Sequence, residues 1–229
     1  MLVAMWMTDD PATVRPTATI ADAAEQMSRR RFRHLLVTDR PGKEGELLGI
    51  VSLRDLARAF PPHINPLSAA GWTDGPRQPV GEVMTRQPCT VTPETTLEDA
   101  ARLLLERKFG ALPVVRGKRL AGILTEADVF KALLEIIGFI PGETASPGVR
   151  VTFDVLEGEN AIALIVELAR THGMRVASVL TMEHRGRHLA VARVLGGMAD
   201  GFVGGVWSSG HRVLSVVVDG EHRPPSDAT

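Results

Sequence analysis

The 229-residue chain has one cysteine, no tyrosine and only 4% aromatic residues. With Cys89 alone, no intramolecular disulfide can form and no second thiolate can complete a metal site, which points to a reducing, cytoplasmic setting. No stretch approaches the ~18 apolar residues of a membrane-spanning helix, so no membrane partner is expected. The start, Met1 to Asp10, has no basic segment and too short an apolar run for a secretion signal. Neither charge is in excess: 26 Lys and Arg against 27 Asp and Glu leave a net charge of −1, which gives no electrostatic reason to expect nucleic acid as a partner. The sequence also lacks a P-loop, a dinucleotide fingerprint, a Gly-x-Ser-x-Gly elbow and a His-Glu-x-x-His helix. His184 and His188 stand four apart, but Gly186 between them marks a hairpin turn rather than a ligand-bearing helix face. No metal and no catalytic set is expected, and the reading is non-enzymatic.

What is present is an ordinary globular composition, 44% apolar and 23% charged, over a length suited to about two compact domains. The chain also repeats itself. At a displacement of 77 residues, Met7-Thr8 falls on Met84-Thr85, Thr13-Val14 on Thr90-Val91 and Asp22-Ala23-Ala24 on Asp99-Ala100-Ala101; 14 of the 32 positions from 7 to 38 are identical, too many for chance. Beyond a turn that is four residues longer in the first copy, Gly49-Ile50-Val51-Ser52-Leu53-Arg54-Asp55 falls on Gly122-Ile123-Leu124-Thr125-Glu126-Ala127-Asp128. A repeated unit of this size buries its apolar face against its twin.

In the second copy Leu97, Ala100, Ala101, Leu104 and Leu105 recur at helical spacing. Leu112 to Val115 and Leu120 to Leu124 read as strands around the turn Arg116-Gly117-Lys118-Arg119, and Val129, Phe130, Leu133, Leu134 and Ile137 form a further helix face. Each copy thus reads helix, strand, strand, helix. At the last strand-to-helix junction a Ser or Thr precedes an Asp by three residues. Such a pair caps the first orphan N–H groups of a helix. It also sets a hydroxyl, a carboxylate and free backbone donors on one small surface, suited to a phosphorylated sugar.

The two copies resemble a tandem of CBS domains, the module named after cystathionine β-synthase, in Val83-Met84-Thr85, Gly110-Ala111-Leu112-Pro113-Val114-Val115 and Gly122-Ile123-Leu124-Thr125-x-x-Asp128. The resemblance covers about residues 1 to 138. It implies an α/β pair packed about a pseudo-twofold axis, with two clefts for AMP, ADP, ATP or S-adenosylmethionine as regulatory ligand. It places Asp55 and Asp128 on ribose, where a carboxylate accepts both protons of a cis-diol. Ser52 and Thr125 then lie towards phosphate, and Gly110, Ala111 and Pro113 leave room for adenine. Thr13 and Thr90 complete the nucleotide-binding set. The first copy departs from the pattern, carrying Arg33-His34-Leu35-Leu36 in place of Gly110-Ala111-Leu112-Pro113. Arg33, His34 and Arg54 are expected in the first cleft, and Ala111, Ala127 and the acidic Glu126 at the second.

The domain reading is a first CBS domain over 1–60, a linker over 61–79 with five prolines and Trp72, a second CBS domain over 80–138, and a further domain over 149–219. Its strands are expected at Val149 to Val155, Arg175 to Met182, His188 to Val194 and Val213 to Val218, with helices from Ala161 and, broken by glycine, near Met198 to Trp207. That β-α-β-β-α-β order is ferredoxin-like. Behind a CBS pair it resembles an ACT-type regulatory domain, and the whole resembles bacterial CBS–ACT proteins of acetoin utilisation. Leu156-Glu157-Gly158-Glu159-Asn160 keeps only the glycine of the Asp-x-Pro-Gly effector motif, so a role in assembly or signal relay stands at least level with effector binding. A homodimer is expected, with a flexible tail over 220–229.

Overall fold

A computed structural model describes residues 1–42, 45–61, 63–69, 75–137, 148–155 and 160–224. Trp72, most of the 138–148 break and the 156–159 stretch lie outside the described residues. The chain divides into two units, Met1–Phe130 and Lys131–Thr229, so the division falls inside the last helix of the second copy rather than after it.

In the first copy a short strand β1 (Thr13–Val14) leads into α1 (Ile20–Arg30), then β2 (His34–Thr38), β3 (Leu47–Ser52) and α2 (Leu53–Ala59). Helix α1 starts where Thr19 and Asp22 cap each other's backbone N–H, and stops where Arg31 takes the left-handed conformation (φ 56°). Ile20, Ala23, Ala24 and Met27 form its buried stripe and pack on Leu35, Val37, Val51 and Leu56.

The second copy opens with α3 (Val80–Val83) and β4 (Thr85–Arg86), followed by α4 (Leu97–Arg107), the hairpin β5 (Ala111–Arg116) and β6 (Arg119–Thr125), and α5 (Glu126–Ile136). Gly117 supplies the positive φ (64°) of the turn. This hairpin sits where the sequence places it.

The copies exchange their leading segments. Strand β4 pairs with β3 of the first copy, Ile50 opposite Thr85 and Gly49 opposite Arg86, and Val80 is buried in the first copy's core. Conversely, Thr8 at the start of the chain bridges Ile123 on β6 through two backbone hydrogen bonds of 2.9 and 3.1 Å. The repeat register that aligns Thr8 with Thr85 and Ile50 with Ile123 makes these one contact seen twice. A glycine sits beneath each crossing. A Cβ on Gly49 would lie 2.7 Å from the Thr85 carbonyl oxygen, and one on Gly122 would lie 2.7 Å from that of Thr8. The two copies also share apolar contacts, with Leu36, Ala111, Leu120 and Ile123 buried together. Residues 80–86 therefore belong in space to the first copy, although the chain order assigns them to the second.

The second unit runs β7 (Gly148–Asp154), α6 (Ala161–Thr171), β8 (Arg175–His184), β9 (Arg187–Leu195), α7 (Ala199–Trp207) and β10 (Arg212–Val218). The strands are antiparallel in the order β10-β7-β9-β8, the ferredoxin-like arrangement. Val149, Val151, Phe153, Ala192, Val194 and Val216 bury one sheet face under Ile165 and Phe202 of the helices. The glycines of α7 that weaken it in the sequence have a packing reason: a Cβ on Gly201 would meet the His172 ring at 2.7 Å and one on Gly205 would meet Leu168 at 2.7 Å. The tail is corrected in part, since Glu221–His222 folds back through a turn at Asp219 and Gly220 as strand β11 on β10. Among the described residues no helix is long and apolar enough to cross a membrane.

Candidate functional site

Both repeated junctions form capping boxes of one geometry. Ser52 Oγ donates to Asp55 Oδ2 (2.6 Å), Ser52 N–H donates to the same oxygen (2.9 Å), and Asp55 N–H donates back to Ser52 Oγ (3.3 Å). Thr125 and Asp128 repeat the set at 2.7, 2.9 and 3.3 Å. Capping therefore explains one carboxylate oxygen of each aspartate. Asp55 is half-buried, and its Oδ1 makes no hydrogen bond among the described residues. Asp128 is buried.

Asp55 opens onto a cleft of about 630 Å³. Seven of the expected residues line it: Ser52, Asp55, Arg33, His34 and Arg54 from the first copy with Gly110 and Ala111 from the second. Thr125, Asp128, Pro113, Thr13 and Thr90 do not. Pro113 lies within β5, where its carbonyl accepts from Val91 N–H (3.1 Å); Thr13 Oγ1 accepts from Gly42 N–H (3.1 Å); Thr90 is exposed. Gly110, Ala111 and Glu126, expected from the sequence at the second cleft, line this one. The start of β5 lies against the start of β2. A Cβ on Gly110 would stand 2.8 Å from His34 Cε1, so the glycine of one copy makes the space for the histidine of the other. The sequence reading missed Arg58, Lys108, Thr85 and Cys89 on the same wall. Arg58 was within reach of it, being one helical turn beyond Arg54; the others arrive by the exchange and by the end of α4, which periodicity does not show.

The cleft is basic on balance, with Arg33, Arg54, Arg58 and Lys108 facing Asp55 and Glu126. Burial, and next the Arg33 charge, hold the His34 pKa below 6.5, with Asp55 and Glu126 opposing them. The imidazole is thus neutral at neutral pH. The unfolded chain takes up a proton first as pH falls through 6.5, so the unliganded fold loses stability on going acid from there, until the lowered folded value is passed. Thermal melts at neutral pH and about pH 5 should show a larger acid loss for the parent than for His34→Gln; equal losses would remove His34 from the account. Among the described residues no group of three or more His, Cys, Asp or Glu could hold a metal ion.

A pair of α/β repeats with exchanged leading strands, closed over a shared basic cleft, defines a two-copy module by its architecture. The CBS domain family profile matches residues 3–62 and 80–135, just over half of the chain, and the protein belongs to the CBS-domain family. It is similar to CBSX2, a chloroplastic protein of Arabidopsis thaliana, at 33% identity over 147 residues, covering 54% of this chain and 58% of that one. A crystal structure of CBSX2 superposes with a TM-score of 0.50, covering 59% of this chain and 95% of that one at 37% identity. YhcV of Bacillus subtilis is 32% identical over 123 residues, 54% of this chain and 79% of that one. A Vibrio cholerae protein provisionally assigned to acetoin utilization, AcuB, matches with a TM-score of 0.50 and 31% identity over 60% of this chain and 93% of that one. The match spans less than two thirds of the length of CBSX2. One relative, 30% identical, is named L-aspartate semialdehyde sulfurtransferase, from Methanosarcina acetivorans; the match covers 23% of it.

Proposed function

We propose that the first-unit cleft binds an adenosyl nucleotide, AMP, ADP, ATP or S-adenosylmethionine, and that the protein is a non-enzymatic sensor of that ligand. The observation that carries the reading is Asp55, whose Oδ2 is held by the cap while Oδ1 makes no hydrogen bond among the described residues, and which lines a cleft of about 630 Å³ together with Gly110 and Ala111. In this reading Asp55 takes the ribose hydroxyls, Gly110 and Ala111 receive the base, and Ser52, Arg33 and Arg54 meet phosphate. CBSX2, the plant relative, has been crystallised with AMP, which supports the ligand class. Thr125 and Asp128, which repeat the capping geometry, serve a second site together with Pro113, Thr13 and Thr90.

A second reading has one observation in its favour: the Ser52–Asp55 and Thr125–Asp128 hydrogen bonds are complete caps without any ligand. On that reading the pair is a ligand-free scaffold. Calorimetry with the four adenosyl ligands separates the two, since the scaffold gives no saturable heat with any of them.

The ferredoxin-like unit acts as an ACT-type module for assembly or signal relay. Closed twofold symmetry is the common outcome for soluble homo-oligomers, and we expect a homodimer. Light scattering at micromolar concentration should return twice the chain mass of 24.7 kDa; a monomer would overturn the assembly role.

A further inference from the structure

In the second unit α6 and α7 pack on one sheet face, and strand alternation turns the other face away from them. Opposite the buried Val149, Val151 and Phe153, strand β7 turns Arg150 and Thr152 outward, and β9 turns Val191 and Arg193 outward between the buried Ala190, Ala192 and Val194. The register places Arg150 directly across from Arg193. Side chains so paired stand roughly 5 Å apart at Cβ, and like charges there repel. Neither arginine has an ion pair among the described residues, and Arg150 Nε is buried with no hydrogen-bond partner. The acid on the same face, Asp154, is committed to Arg212 at 3.3 Å and Arg187 at 4.0 Å. Around the arginine pair the register sets Val217 beside Arg150, Ser178 beside Arg193, and Leu180 beside Val191.

Two adjacent guanidiniums without a counter-charge, one with a shielded N–H, are an unfavourable arrangement for the isolated domain. It becomes favourable when an oxyanion accepts from both forks at once. We propose that this face is a binding site for a small organic anion, a carboxylate or phosphate ester with a short apolar tail. Arg150 and Arg193 hold the anionic oxygens, and Val191, Leu180 and Val217 take the tail. The site shares no residue with the nucleotide cleft and stands or falls apart from it.

The experiment follows the arginine Nε–Hε resonances of the full chain by NMR during titration with hexanoate, hexyl phosphate and, as a cationic control, hexylamine. The Arg150 resonance should shift saturably with at least one anion, and which of the two binds more tightly identifies the head group. Arg150→Gln and Arg193→Gln should each weaken that binding tenfold or more while AMP binding is unchanged. The Arg150→Lys, Arg193→Lys double variant, which keeps the charge and loses the fork, should weaken it severalfold and preserves the test if a Gln variant fails to fold. No saturable shift with either anion, equal binding of hexylamine, or undiminished binding in the Arg193→Gln and double-Lys proteins would overturn the proposal.

Discussion

Replacing Asp55 with Ala is expected to weaken adenosine-nucleotide binding at the first cleft by about 1.5–3 kcal/mol, the scale of hydrogen bonds to a charged group, or roughly ten- to 150-fold. The same change removes the Oδ2 contacts to Ser52, so stability should also fall, by about 1 kcal/mol for a damaged cap. The two losses are separable. Asp55→Asn keeps a side-chain acceptor for the Ser52 N–H and should retain most of the stability while still losing much of the affinity. If Asp55→Ala binds AMP as tightly as the parent in calorimetry, capping is the whole role of the motif. Asp128→Ala should act likewise at the second site. With Asp128→Ala leaving the first cleft intact, ATP should gain over AMP because Arg33, Arg54, Arg58 and Lys108 outnumber Asp55 and Glu126 there, and added salt should reduce that gain. Glu126, which lines this cleft, tempers the preference.

The largest effect on stability is expected for Gly49→Val. A Cβ at this position would already lie 2.7 Å from both the Thr85 carbonyl oxygen and Met84 Sδ, and a branched side chain drives the exchanged strand β4 off β3. The sulfur can swing away and the backbone oxygen cannot. The expected loss in urea unfolding is on the order of 3 kcal/mol, a large part of the ~5–15 kcal/mol that holds a typical domain. Gly122→Val should match it, because the Thr8 carbonyl oxygen stands 2.7 Å from its Cβ position. Gly204→Ala, a helical position with open space around it, should change stability little and in the stabilising direction. If Gly49→Val unfolds at the parent's urea midpoint, the exchanged strand contributes nothing to the pair.

Much of this fold is legible in the sequence, because its strongest signals are periodic or local. The Ser52–Asp55 and Thr125–Asp128 boxes, the helical spacing from Leu97 to Leu105 and the Gly117 and Gly186 turns each depend on residues a few positions apart, and the elements fall where those signals put them. The segment exchange depends on Thr8 meeting Ile123 and Thr85 meeting Ile50, contacts whose only local trace is a glycine in an otherwise strong strand. The same limit explains the cleft. Its first-copy wall, Arg33, His34, Ser52, Arg54 and Asp55, is legible in one repeat, whereas the presence of Gly110, Ala111 and Glu126 beside it depends on the contact between the copies, Gly110 against His34, and not on their neighbours in sequence. Arg150 and Arg193 gave no sequence signal either, lying 43 positions apart and meeting only through the β7–β9 register.

A crystal structure of the full chain grown with ADP decides whether the cleft beside Asp55 holds an adenosyl nucleotide. Density for the nucleotide is expected in that cleft, with both ribose hydroxyls within hydrogen-bond distance of the Asp55 carboxylate and the base against Gly110 and Ala111. A crystal grown at saturating ADP in which this cleft holds only water, or holds the nucleotide with its ribose turned away from Asp55, would contradict it.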